Sequence, residues 1–283
     1  MPDIFSDLSS MGLSNLSGMK IFDEEEKKQA TKGEEKSAAP KISETDFLFD
    51  KSVKCPVCDR EFKVKTVKTG KPRLIGSDMD LRPKYQGIDP VKYDVIACPK
   101  CGYAALSRFF NYMTPAIAKT ITDNISASFK GLPQEGPMIS YDEAIARYKL
   151  ALLNTVIKKS KISERAYTCL KLGWLYRGKA ENLNQSAPDY KEQKAECNAV
   201  EAEFINNAYE GFSMAITKEL YPICGMDEVT VDYLLANLAF QTNRRDESLR
   251  FLSKIITSNF ANAKIKDKAR DLRDIIVSEN KKS

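Results

Sequence analysis

Lys54-Cys55-Pro56-Val57-Cys58-Asp59 and Ala97-Cys98-Pro99-Lys100-Cys101-Gly102-Tyr103 are two copies of one short motif, with 39 residues between Cys58 and Cys98. Cysteines placed two apart around a tight turn present both sulfurs on one side, the bite that a tetrahedral ion needs at about 2.3 Å per metal–sulfur bond. Proline fixes one φ angle in each turn, and Gly102 can take the positive φ that swings backbone amides toward the sulfurs. A lone CxxC is weak evidence, whereas two as Cys-Pro-x-Cys are strong. The expected site is one structural zinc held by Cys55, Cys58, Cys98 and Cys101. Iron is the alternative ion, since four tetrahedral thiolates suit both. A redox dithiol is the third reading, but neither pair opens a helix in a βαβ unit. Four cysteines leave no open coordination position, so the site reads as a fold staple and not a catalytic metal. The gap exceeds the roughly 15 to 20 residues of a compact zinc ribbon, and strands between the pairs are expected to close it.

Those strands are visible on either side of the cysteines. Phe47-Leu48-Phe49 leads into the first pair, and Phe62, Val64 and Thr66 alternate with Lys63, Lys65 and Val67 after it, the two-residue period of a strand. Gly70-Lys71-Pro72 and Gly76-Ser77-Asp78 read as turns and residues 80–90 as loop, while Tyr93 to Ala97 reads as the strand that delivers Cys98. Residues 51–110 carry 13 basic and 6 acidic residues. Lys63, Lys65, Lys68 and Arg73 on this basic face form a candidate nucleic-acid surface, with Phe62, Tyr85 and Tyr93 available to stack. The competing reading is a solvated or guarded strand face.

Residues 1–50 hold 6 basic and 11 acidic residues. The segment 1–45 lacks a sustained apolar period and reads as a disordered acidic tail. It carries no basic start followed by an apolar run, the mark of a secretory signal, and no stretch of the chain approaches the roughly 20 apolar residues of a membrane span. Seven cysteines and no histidine in 283 residues suit a reducing compartment; cytoplasm is the expected location. The missing histidine also removes the commonest general base. No phosphate-binding glycine loop, Ser/His/Asp set or paired acids in a cleft context is present, so the expectation is a non-enzymatic protein. Cys169, Cys197 and Cys224 read as ordinary thiols, with Cys224, in a Pro-Ile-Cys-Gly turn, the one to test for reactivity. Trp174 and Tyr176 lie at helical spacing and read as core.

From residue 114 the pattern becomes helical. Thr114-Pro115 is a capped start with proline at the first position, and Ser140 with Glu143 three residues on fits a capping box. Amphipathic helices are predicted from Ser140 through Val156, over 164–179, 190–219, 227–242 and 246–258, and beyond Phe260. Three of them share a small–large–small or apolar pattern, Ala144-Tyr148-Ala151, Ala208-Phe212-Ala215 and Ser248-Leu252-Ile255, and two carry a partner pattern at Leu172-Gly173-Tyr176 and Leu235-Ala236-Ala239. This resembles the tetratricopeptide repeat, in which small residues let paired helices approach closely. The spacings are irregular, so the repeats are degenerate, and a generic helical bundle is the competing reading.

Residues 46 to about 260 also resemble a bacterial family catalogued as a domain of unknown function, on the strength of Cys55, Pro56, Cys58, Tyr93, Cys98, Pro99, Cys101, Gly102, Tyr103 and Ala104. The resemblance implies a cytosolic bacterial protein with two CPxC knuckles and a tetratricopeptide-like tail; it implies no activity. The expected fold is α+β and mostly α: a tail at 1–45, a small β-rich zinc-ribbon-like domain at 46–110 and a helical domain at 111–280. The expected function is an interaction or scaffold protein whose helices receive a protein or peptide. A nucleic-acid-associated factor is the alternative.

Overall fold

The computed structural model describes Gly12 and residues 43–132 and 136–280. The acidic tail expected at 1–45 therefore lies outside the described residues, save for Gly12 and residues 43–45. A 3-10 turn at Glu44–Phe47 enters β1 (Leu48–Lys54), which pairs antiparallel with β2 (Glu61–Val67) from Leu48 opposite Val67 to Lys54 opposite Glu61. The CPVC segment is the loop of that hairpin. β5 (Val95–Ala97) and β6 (Ala104–Leu106) form a second hairpin with Ala97 opposite Ala104, and its loop is the CPKC segment. Each cysteine pair thus closes a two-stranded ladder, as the strand periods on either side of them require.

Between the two lies a third ladder, β3 (Leu74–Ser77) with β4 (Pro83–Tyr85). This corrects two sequence expectations. Gly76-Ser77 belongs to a strand and not a turn, and residues 80–90 are not all loop. β3 is exposed along its whole length, so no inward-facing apolar alternation marked it. Tyr93 also falls in a 3-10 turn, Pro90–Tyr93, and not in β5.

α1 (Pro115–Ile121) starts on the Thr114 side chain, which accepts from Ile117 N, and runs on as a single π turn at Thr122–Ser126. α2 (Tyr141–Ile157) opens with the full Ser140/Glu143 capping box. α3 (Ile162–Glu181), α4 (Tyr190–Lys218), α5 (Glu228–Gln241), α6 (Arg245–Thr257) and α7 (Ala263–Asn280) follow, each helix from α2 onward packed on the next, and α2 also packs on the β5–β6 hairpin. Short links between consecutive helices give antiparallel neighbours.

The small residues singled out in sequence lie at the helix contacts. Ala144, Tyr148, Ala151, Ala208, Phe212, Ala215 and Ser248 are all fully buried. A Cβ on Gly173 would come within 2.9 Å of Ile205 Cδ1, which is how α3 and α4 close on each other. Ser248 Oγ donates to Ala236 O at 2.7 Å, tying α6 to α5. α5 is buried without a break from Val231 to Ala239, since α4, α6 and α7 all pack on it.

One apolar core runs from Phe47 through the cysteines, β5, β6 and α2 to Ala239, and a second, smaller one joins α5, α6 and α7 around Leu252, Leu272 and Ile276. Ala104, Ala105 and Leu106 are buried on both faces of β6. Two alanines there let α2 lie directly on the hairpin, so the second cysteine pair is seated on the helical part.

Candidate metal centre

The four sulfurs of Cys55, Cys58, Cys98 and Cys101 all lie within 4.8 Å of one another. Cys55 Sγ is 3.6 Å from Cys101 Sγ, and Cys58 Sγ is 3.6 Å from Cys98 Sγ. A tetrahedron with bonds of about 2.3 Å has edges of about 3.8 Å, so the cage matches that size. A disulfide would need about 2.05 Å, and none of the seven cysteines is paired in one. Cys55 and Cys98 are fully buried and Cys101 nearly so. The donor set, its spacing and its enclosure fit one metal ion with four thiolate ligands.

The two knuckles share one backbone pattern. Cys55 N donates to Arg60 O at 2.9 Å and Asp59 N to Cys55 O at 2.9 Å; Cys98 N donates to Tyr103 O at 2.8 Å and Gly102 N to Cys98 O at 3.2 Å. Both turns need a left-handed residue after the second cysteine, supplied by Asp59 at φ 59° and Gly102 at φ 72°. Asp tolerates that region better than most side chains. At Gly102 no side chain fits at all, because a Cβ would meet the Phe129 ring at 2.7 Å and Ile125 Cγ2 at 2.9 Å.

Proton sharing among the thiols is lopsided. Cys98 is held well below the usual thiol range by hydrogen bonds from Cys101 and Cys55. Cys101 is pushed up by its bonds to Cys55 and Cys98 and by burial. Cys55 is drawn down by Cys101 but pushed up by Cys98 and burial, with the net effect upward. Neighbouring sulfurs in a dry cage cannot all ionise by themselves, and a dication resolves that conflict.

The cage is fixed from the helical side. Asn154 Nδ2 on α2 donates to Gly102 O at 3.0 Å, and Ser126 Oγ donates to Cys101 O at 2.7 Å. Tyr103 is fully buried with its hydroxyl donating to Phe110 O at 2.9 Å. Tyr93 is also buried; its hydroxyl donates to Glu44 Oε1 at 2.7 Å and is pushed up first by burial, then by that carboxylate.

The basic residues of the first hairpin are not brought to one point. Lys63 and Arg73 are exposed, Lys65 pairs with Asp50 at 2.8 Å, and Lys68 Nζ donates to Asp46 O at 3.0 Å. Of the proposed stacking residues, Phe62 packs edge-on to Phe110 at 6.4 Å and Tyr93 is in the core. Among the other thiols, Cys169 and Cys197 are buried. Cys224 donates to Ser163 O at 3.3 Å and is pushed up to about 11 by burial, which leaves it a poor nucleophile at neutral pH.

The sequence did not announce a buried ionic cluster where the β3–β4 connection meets the helices. Arg177 on α3 donates to Asp78 and Asp80 from Nη1 at 3.1 Å each, to Asp80 from Nη2 at 2.7 Å, and to Glu201 on α4 from Nε at 2.7 Å. Arg82 reaches Glu181 at 2.9 Å. Burial by itself would raise the Asp80 carboxyl, but Arg177 outweighs it and holds the group below its ordinary value. Burial raises Glu201. The only trace in the sequence is the charge alternation Asp78-x-Asp80-x-Arg82; its partner stands 97 positions away.

Among the described residues no helix is long and apolar enough to cross a membrane. An uncharacterized protein of Borreliella burgdorferi is 25% identical over 166 residues, covering 52% of this chain and 58% of that relative's length. The chain therefore spans little more than half of the relative it matches. No solved structure matches it. A family model described as "Uncharacterized protein conserved in bacteria" (DUF2225) matches residues 48–276, which takes in both cysteine knuckles and almost all of α2 to α7. The chain belongs to this bacterial family.

Proposed function

We propose that the protein is a non-enzymatic, cytoplasmic interaction protein in which one zinc ion staples the two hairpins and the helices, packed as degenerate tetratricopeptide-like pairs, receive a protein or peptide partner. The observation that carries the zinc reading is the closed cage: four sulfurs at tetrahedral spacing, three of them on buried cysteines and the Cys58 sulfur half-buried, with no position left for substrate. Zinc in such a site contributes folding free energy and does no chemistry. Support for the interaction reading comes from Leu220 and Phe260, which are 91% and 95% exposed in the links after α4 and α6. Covering either side chain with a partner would remove apolar surface from water.

Metal analysis of the purified chain tests the first half, with about one zinc per chain expected and a cobalt-substituted sample showing the absorption of a tetrahedral thiolate site. Iron in place of zinc, or a fully folded metal-free chain, would overturn it. For the second half, affinity capture from a bacterial lysate should retain a partner that the Leu220→Glu/Phe260→Glu double variant fails to retain. Equal retention by both would refute the helical surface.

A second reading, nucleic-acid association, is favoured by the exposure of Lys63 and Arg73 on the basic segment. It requires binding that falls steeply with salt and is weakened by Lys63→Glu.

A further inference from the structure

We propose that Cys58 is a peroxide-reactive thiol whose oxidation, resolved by Cys98 of the other knuckle, opens the cage and ties the two hairpins together by a disulfide. The cage is unevenly shielded. Cys55 and Cys98 are fully buried and Cys101 is 5% exposed, whereas Cys58 is half-buried. The ion pair at the same hairpin tip, Asp59 with Lys54, is 80% and 61% exposed at its side chains. On the inner side, Gly102 is sealed against Phe129 and Ile125. A small oxidant therefore meets the cage first at Cys58. Exposure and thiolate character decide which sulfur is oxidised, and ligation by a metal keeps a cysteine in its thiolate form. The thiols outside the cage compete poorly: Cys169 and Cys197 are buried, and Cys224 donates its proton to Ser163 O at 3.3 Å.

A second observation supplies the resolving group. Cys58 Sγ stands 3.6 Å from Cys98 Sγ, a contact across the knuckles between residues 40 positions apart. A disulfide needs about 2.05 Å, so a small closing motion is enough. Cys58 lies on the outward-facing hairpin tip, the side with room to give.

The chemistry balances with one peroxide. The Cys58 thiolate attacks an oxygen of hydrogen peroxide, the O–O bond breaks, and the departing hydroxide takes a proton to become water. Cys58 is now a sulfenic acid. The Cys98 thiolate attacks its sulfur, the S–O bond breaks, and the hydroxide leaves with a proton as a second water. Two electrons have passed from the two sulfurs to the peroxide. Cys55 and Cys101, the two ligands that remain, take up protons and no longer hold the ion. The bond joins β1–β2 to β5–β6, unlike that of a CxxC dithiol, so oxidation replaces a metal staple by a covalent one. In a reducing compartment such a disulfide is transient, as redox-sensing disulfides are.

The loss of the ion rests on the zinc reading above; the crosslink rests on the sulfur positions alone. The full-length, metal-retaining chain is assayed for zinc and treated with an equimolar amount of hydrogen peroxide, with the freed ion followed by 4-(2-pyridylazo)resorcinol. Remaining thiols are blocked with N-ethylmaleimide and the disulfides mapped by peptide mass spectrometry. The expected result is loss of zinc in step with a Cys58–Cys98 crosslink, with Cys55, Cys101, Cys169, Cys197 and Cys224 all alkylated. A dithiol reductant followed by zinc should restore the metal content. A bond within one knuckle, earlier oxidation of Cys169, Cys197 or Cys224, or Cys58 carried on to the sulfinic acid without a crosslink would overturn the proposal. So would full retention of zinc after the peroxide is consumed. A chain without zinc at the outset would refute the zinc reading instead, and the disulfide map of that same chain would still decide the crosslink.

Discussion

The two cysteine knuckles have the same backbone hydrogen bonds and different surroundings. The first, at the tip of β1–β2, faces outward: Cys58 and Val57 are half-buried, Asp59 is exposed, and Lys54 forms a surface ion pair with it at 2.8 Å. The second, at the tip of β5–β6, is seated on helices, with Asn154, Ser126, Ile125 and Phe129 all touching Cys101 or Gly102. One turn chemistry therefore serves two purposes. The outer knuckle closes the cage, and the inner one transmits the cage's stability into α2 and the long core.

The sharpest way to break this comparison is to remove a sulfur from each side. With zinc bound as proposed, Cys58→Ser and Cys98→Ser should both lose the metal and with it a folding contribution on the order of 10 kcal/mol. Hydrogen exchange should then separate them. Loss of the outer sulfur should expose β1–β2 amides first, whereas loss of the inner one should also deprotect α2 around Asn154. Equal patterns in the two variants would mean that the helices do not sense the inner knuckle.

A smaller effect is expected at the left-handed residues. Gly102→Ala places a methyl group against Phe129 and Ile125 at φ 72° and should cost about 2–4 kcal/mol in denaturant unfolding. Asp59→Gly meets no such crowding and should change stability by less than about 0.5 kcal/mol, the relief at φ offset by a more flexible unfolded chain. A Gly102→Ala protein as stable as the parent would remove the argument for a tight inner seat.

The smallest expected effect belongs to Asn154→Ala, which deletes the hydrogen bond to Gly102 O and should cost about 1–2 kcal/mol. Metal content should stay at the parental level, because no ligand is touched. Metal loss in this variant would show that α2 positions the sulfurs and does more than support them.

Much of this was legible in the residues. Each CPxC spacing fixes a local turn, the Ser140/Glu143 box is a four-residue event, and the helix ends at Thr114, Asp227 and Ser258 fall within a residue or two of where caps and periodicity put them. The cage itself was legible too, since four thiols of this spacing have few other uses. β3 was missed because none of its side chains is buried, so no alternation marks it. The ionic cluster was missed because Arg177 and Asp80 are polar residues that read as surface until the fold buries them.

Turns, caps, helix extents and the two cysteine pairs that could hold a metal ion were readable from the residues alone, because those depend on interactions within a few residues. The assembled fold adds that Asn154 meets Gly102 across 52 positions and that Arg177 closes on Asp78 and Asp80, while Trp174 lies in the core as its helical spacing suggested. Those outcomes depend on which surfaces the helices and hairpins bury together. Burial is a property of the assembled chain: it turns an ordinary asparagine into a strut and a surface-type arginine into a half-buried tie.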